Sequence, residues 1–261
     1  MLDAETRAAL AAELAAADAE RTIMPRITAR YPEATIEDSY AIQKVWRDSR
    51  AAGGRRLVGR KIGLTSRAMQ QATGITEPDY GVMFDDTVFE SGATLDYDAY
   101  SNVRIEVELA FKLAAPLAGP DCTLADVLAA TEYVVPALEV LNSHIELQGR
   151  TIVDTIADNA AYGAMVLGDV TKRPDEIDLR WVAALLYLND SVEETGVAAG
   201  VLDHPAHGVA WLANKLAQHG DRLEAGELIL AGSFTRPMWV ARGDAVLADY
   251  GPMGTITCSF R

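Results

Sequence analysis

The chain has 261 residues, 49% hydrophobic and 23% charged, with 23 basic against 38 acidic residues and a net charge of −15. This composition suits an ordinary globular protein long enough to bury one substantial core. The acidic surplus disfavours nucleic acid and anionic membranes as partners, and no basic run offsets it.

In chain order, 2–22 reads as a helix, with Leu10 and Leu14 at i, i+4. Its acidic residues and lack of a basic start distinguish it from a signal peptide, and no apolar run reaches transmembrane length, so a cytoplasmic protein is expected. Thr35 followed by Asp38 resembles a helix start, and that helix should run through Tyr40, Ile42, Val45 and Trp46 to Gly53-Gly54. The texture then changes to short strands, expected at 57–62, 103–113, 133–141, 162–168, 179–188, 227–232, 238–240 and 255–260. Asn189-Asp190 is a turn between strand-like flanks. Thr123 caps a short helix, and Pro205 opens another that closes at Gly220. Cys122 and Cys258 imply neither a disulfide framework nor a zinc knuckle. The fold class expected is α+β: a helical N-terminal segment over 1–54, then a β-rich, roll-like or barrel-like catalytic domain over 55–261.

The chemistry concentrates on Arg104-Ile105-Glu106-Val107-Glu108-Leu109. Apolar and polar residues alternate, so Ile105, Val107 and Leu109 share one strand face while Glu106 and Glu108 leave the other. Two carboxylates about 7 Å apart repel by roughly 2–3 kcal/mol at an effective dielectric near 20. Alternating glutamates are most often a solvated face, but Glu139 adds a third carboxylate inside the apolar run at 133–141. A glutamate in such a run is paired or coordinates a metal. Three carboxylates without neighbouring Cys or His suit Mg²⁺ or Mn²⁺. Glu106, Glu108 and Glu139 are therefore candidate metal ligands.

Lys61 lies in the apolar strand before Gly63, where it either snorkels to solvent or serves an acidic site as a proton relay or carboxylate binder. Glu77-Pro78-Asp79-Tyr80-Gly81 has a turn-like composition, and Asp158-Asn159 reads as a cap. His204-Pro205-Ala206-His207 reads as a helix start. No Walker spacing, nucleophile elbow or dinucleotide fingerprint is found.

Seven stretches together, GRKIGLTSRAMQ (59–70), EPDYG (77–81), RIEVELAF (104–111), YVVPALEV (133–140), DTIADNAA (154–161), ETGVAAGVLDHPAHGVAWLANKL (194–216) and AGSFTRP (231–237), make the chain resemble the fumarylacetoacetate hydrolase superfamily. The resemblance is to its hydratase and decarboxylase branch, and it spans essentially the whole chain. It implies a mixed β roll, a homo-oligomer, metal ligation by Glu106, Glu108 and Glu139, and Lys61 and Asp79 as catalytic residues. It implies hydration of a 2-oxo-alkenoate, here a seven-carbon dicarboxylate; a pentenoate hydratase, a 4-oxalocrotonate-type decarboxylase or a non-catalytic partner subunit are the alternatives. Relatives acting on 2-hydroxypentadienoate carry serine where this chain has Ala161. The distal carboxylate of a dioate needs a cation, and Arg236, with Arg67 and Thr65, is the expected substrate-binding set.

Overall fold

A computed structural model describes residues 1–67, 70–71, 75 and 77–261; Ala68 and Met69, at the end of the 59–70 stretch, lie outside the described residues. Three helices come first: α1 (Ala4–Glu20), α2 (Ile27–Arg30) and α3 (Ile36–Ala52). The expected capping box forms, with the Thr35 side chain accepting from the Asp38 N–H and Asp38 returning a bond to the Thr35 N–H. Leu10, Leu14, Ile27 and Ile42 of this segment pack with Ile145 and Ala157 from further along the chain.

The described strands form two mixed sheets. The larger contains β1 (Leu57–Gly63), β2 (Asp79–Phe84), β3 (Val88–Glu90), β5 (Arg104–Leu113), β6 (Thr131–Leu141), β7 (Tyr162–Leu167), β10 (Leu228–Leu230) and β11 (Met238–Trp239), in the order β2-β1-β10-β5-β6-β7-β3 with β11 paired to β5. The smaller contains β4 (Ala93–Leu95), β8 (Ala183–Leu188), β9 (Ser191–Val197), β12 (Ala245–Asp249) and β13 (Thr255–Phe260), in the order β4-β13-β12-β8-β9. Helices α4 (Leu124–Ala130), α5 (Ile152–Ala157) and α6 (Pro205–Ala217) lie between the strands, with several short 3₁₀ turns. Ile105, Val107 and Leu109 enter the main core with Val134, Leu138, Leu186 and Ile256, which leaves the opposite face of β5 for the glutamates.

The fold departs from the sequence reading in three places. Residues 79–81, the end of the turn-like stretch 77–81, instead open a strand over Asp79–Phe84 that is buried along its whole length. Pro78 precedes it, so its missing N–H removes no ladder bond, and Gly81 lets the strand approach Asn159, whose carbonyl a Cβ there would strike. The expected strand at 179–188 begins only at Ala183, because Asp178 caps a single 3₁₀ turn over Leu179–Trp181. Strands β3, β4 and β12 were not expected, whereas β9 is the strand-like flank that follows the Asn189-Asp190 turn, polar and largely exposed.

Candidate active site and metal centre

Strands β5 and β6 pair antiparallel with Glu106 opposite Glu139, so two of the three carboxylates are cross-strand neighbours. Glu108 follows Glu106 on the same face. The side chains converge, and one oxygen from each of Glu106, Glu108 and Glu139 lies within 4.8 Å of the others. Glu108 and Glu139 are 1% and 0% exposed, while Glu106 keeps some contact with water. The Tyr250 hydroxyl fixes the local spacing by donating to the Ala137 carbonyl (2.7 Å) and accepting from the Glu108 N–H (3.2 Å).

Lys61 on β1 reaches this cluster, with Nζ 3.1 Å from Glu139 Oε1. The snorkelling alternative fails, since Lys61 is only 3% exposed. Asp79 opposes Gly63 across β1 and β2 and is 1% exposed. A Cβ at Gly63 would collide with Asp79 Oδ1, so glycine there opens the space that the carboxylate fills. Thr65 is buried beside Gly232, whose N–H donates to Glu108 Oε2 (2.8 Å).

Four carboxylates thus surround one ammonium in a poorly solvated space. Burial raises all three glutamates, helped by carboxylate repulsion at Glu106 and Glu108 and by Asp79 at Glu139: Glu106 goes to about 7 and Glu108 well above its ordinary value. Burial raises Asp79 as well, against the opposing effect of Lys61. Burial pulls Lys61 down, but Glu139, Asp79 and the other glutamates outweigh it, and its pKa is raised overall. Glu108 Oε1, Glu139 Oε2 and both oxygens of Asp79 are buried without a hydrogen-bond donor among the described residues. Unpartnered oxygens in a cluster this tight fit a hard divalent cation.

The structure also separates residues that the sequence grouped. The Arg236 side chain is 76% exposed and paired with Glu194 at 2.7 Å, and Arg67 is exposed. Both lie at the surface, whereas Thr65 is buried beside Gly232. Conversely, Arg104 was overlooked although it shares the parity of Glu106 and Glu108. It is 9% exposed, and its guanidinium donates to Ser143 Oγ (2.9 Å). Arg150 donates to the same oxygen (3.0 Å). Burial and the charge of Arg150 lower Arg104 to about 10, which leaves it cationic at neutral pH, while Glu106 and Glu139 pull the other way.

Asp158 does not act as a simple cap. Its Oδ1 contacts His144 Nδ1 at 2.8 Å, while His144 Nε2 lies 3.2 Å from Asp18 on α1. The two carboxylates outweigh burial and raise His144 to about 9. The next three residues, Asn159, Ala160 and Ala161, all have positive φ, a costly run for residues with a Cβ. Asn159 holds β2 by bonding both the N–H and the carbonyl of Val82.

No family model matches the chain. It is 52% identical over 266 residues to the 2-oxo-hept-4-ene-1,7-dioate hydratase of Escherichia coli, covering 100% of both chains. Among solved structures, 4-oxalocrotonate decarboxylase from Pseudomonas putida G7, complexed with magnesium and adipate, superposes with a TM-score of 0.97 at 34% identity, covering 100% of this chain and 99% of the other. Fumarylpyruvate hydrolase from Pseudomonas aeruginosa, in complex with Mn²⁺ and pyruvate, shares the fold at a TM-score of 0.61 and 17% identity, over 78% of this chain and 89% of the other. The chain belongs to the family of 2-oxo-alkenoate hydratases and 4-oxalocrotonate decarboxylases, and it shares its fold with fumarylpyruvate hydrolase.

Proposed function

We propose that the protein is a metal-dependent hydratase that converts 2-oxohept-4-ene-1,7-dioate to 4-hydroxy-2-oxoheptanedioate in the breakdown of aromatic compounds by meta-cleavage. The observation that carries this reading is a triad of converging carboxylates, with Glu108 Oε1 and Glu139 Oε2 buried and unpartnered, beside Lys61 and Asp79 in a chain 52% identical end to end to a hydratase of that substrate. Glu106, Glu108 and Glu139 hold Mg²⁺ or Mn²⁺, and the magnesium in the decarboxylase structure supports that choice of ion. The bound ion supplies a Lewis acid for the 2-oxo acid end of the substrate.

The chain's own groups handle protons. Hydration at C4 requires that a proton leave C3 and one be added at C5, which brings the double bond into conjugation with the ketone. Water then adds its hydroxyl at C4 and a proton at C3. Lys61 and Asp79 are suited to these transfers. Lys61 is held as an ammonium by its carboxylate neighbours, and Asp79 is raised by burial towards the range where a carboxyl both gives and takes a proton. Tight enclosure of Lys61 and Asp79 keeps bulk water from short-circuiting the transfers. As part of this reading the enzyme works as a homo-oligomer in the cytoplasm.

The test is to incubate the protein and Mg²⁺ with 2-oxohept-4-ene-1,7-dioate and follow the carbon skeleton by NMR. A new CH–OH signal at C4 with all seven carbons retained is expected. Release of CO₂ from a 2-oxo-3-enedioate, without hydration, would make the protein a decarboxylase.

A further inference from the structure

Two neighbouring arginines, Arg104 and Arg150, form no ion pair among the described residues, although Glu106, Glu139 and Asp158 act on Arg104 from further off. The contrast with Arg60 defines the anomaly. Arg60 is also buried, and the fold supplies it with Asp221 at 3.1 Å and Glu227 at 3.5 Å. Arg104 is nearly as buried, yet among the described residues its guanidinium has only the neutral Ser143 hydroxyl and the face of Trp239, 5.3 Å away. Its Nε is buried without any acceptor. Arg150 converges on the same Ser143 oxygen and likewise forms no ion pair among the described residues. Two cations sharing one hydroxyl repel each other, and burial makes that repulsion expensive. An anion bound between them would remove the cost.

The position says which anion. Arg104 stands two residues from Glu106 on the same face of β5, about 7 Å along the strand. At roughly 1.2 Å of extension per bond, the six bonds from C1 to C7 of a heptenedioate also span about 7 Å. A substrate held by its 2-oxo acid end at the carboxylate triad therefore carries its far carboxylate to the arginines. We propose that Arg104 and Arg150, bridged by Ser143, form the receptor for the distal carboxylate of a dicarboxylic substrate, which selects a dioate over a monoacid. This assignment rests on the hydratase reading above, and it takes the role that the sequence suggested for Arg236, which is spent on Glu194 at the surface. Paired guanidiniums suit the task because each presents a planar fork of donors to a carboxylate.

The test compares Arg150→Ala, Arg104→Gln and Arg236→Ala with wild type on two substrates, 2-oxohept-4-ene-1,7-dioate and 2-oxohept-4-enoate, which differ only in the far carboxylate. In Arg150→Ala and Arg104→Gln the dioate-to-monoacid ratio of kcat/KM should fall about ten- to a hundredfold, the usual worth of a charged hydrogen bond. In Arg236→Ala the ratio should stay within twofold of wild type. Calorimetry with Mg²⁺ present and two unreactive probes gives a second readout. Binding of 2-oxoheptanedioate should weaken at least tenfold in the two variants, while binding of 2-oxoheptanoate should hold. Arg150 lies on a partly exposed loop, so its variant carries the test if Arg104→Gln does not fold. Equal losses on both substrates, an unchanged ratio, or a ratio that falls only in Arg236→Ala would overturn the proposal. If wild type turns over neither substrate, the hydratase reading fails while the calorimetric comparison still decides the receptor.

Discussion

Replacing Glu106 by glutamine should stabilise the metal-free protein while abolishing its response to metal. With oxygens within 4.8 Å of one another, each ionised carboxylate pair repels by about 3–4 kcal/mol at an effective dielectric of 20, and one ammonium cannot cancel three carboxylates. Burial first, and then the charge of Glu139, raise the folded-state pKa of Glu106 to about 7, against an ordinary value of 4.5. The native state then binds more protons than the unfolded state between those values, so stability falls as pH rises from 4.5 through about 7. The full shift corresponds to about 3 kcal/mol. Because Glu106 keeps some water contact, we take about 1–3 kcal/mol as recoverable. At pH 8 in EDTA, Glu106→Gln should melt about 2–10 °C above wild type, and the gap should close near pH 4.5. Mg²⁺ should raise the melting temperature of wild type and leave the variant unmoved. Calorimetric melts at the two pH values with and without Mg²⁺ provide the assay. A metal-free variant that melts below wild type at pH 8, or equal Mg²⁺ shifts in both proteins, would refute the crowded-carboxylate argument.

Lys61→Ala and Asp79→Asn should each lower kcat/KM by about two to four powers of ten at saturating Mg²⁺; a variant within twofold of wild type would remove that residue from the chemistry. Gly232→Ala should cripple activity, because Gly232 has φ +116° and a Cβ would strike Thr65, displacing the N–H that holds Glu108; wild-type kinetics would disprove the packing account. His144, raised to about 9 between Asp18 and Asp158, contributes stability that is complete below its ordinary pKa of 6.5 and lost as pH rises through 9, up to about 3 kcal/mol. Denaturant titrations of wild type and His144→Gln across pH 6–10 should diverge at the acid end and converge at the alkaline end; parallel curves would count against the ion pairs.

How much of this was legible in the sequence depended on whether a residue's role is local. The triad was legible because period two fixes the faces of Arg104–Leu113 and a glutamate within Tyr133–Leu141 cannot be buried alone. The same parity places Arg104 beside Glu106, and the signal was present but unused, since one arginine at a strand start resembles any edge cation. Asp79 was hidden by composition. Pro78 and Gly81 signal a turn, and only tertiary packing against Asn159 and Gly63 makes a strand of them. The pairing of Arg236 with Glu194 joins residues 42 apart, which no local pattern announces. The strained run at Asn159–Ala161 was unreadable for the same reason, because its backbone is set by what it must hold in place.

The site also explains why so much of the sheet is given over to rigidity. Three carboxylates that repel one another would spread apart if the strands beneath them could slide. Strands β5 and β6 are in register along nearly their whole length, with the one irregularity at the far end, between Lys112 and Leu113. The Tyr250 hydroxyl clamps them beside Glu108 and is itself fully buried, so no water competes for its bonds. Repulsion is thereby held in a frame that cannot relax, and the strongest available relief is a cation at the centre. Arg104, at the start of β5, and Arg150 on its loop repeat that logic with the opposite sign, since they are cations held close with an anion as the relief. A substrate with a chelating 2-oxo acid at one end and a carboxylate at the other answers both imbalances at once, whereas a monoacid answers only the first. Electrostatic selection of a dioate follows from that difference.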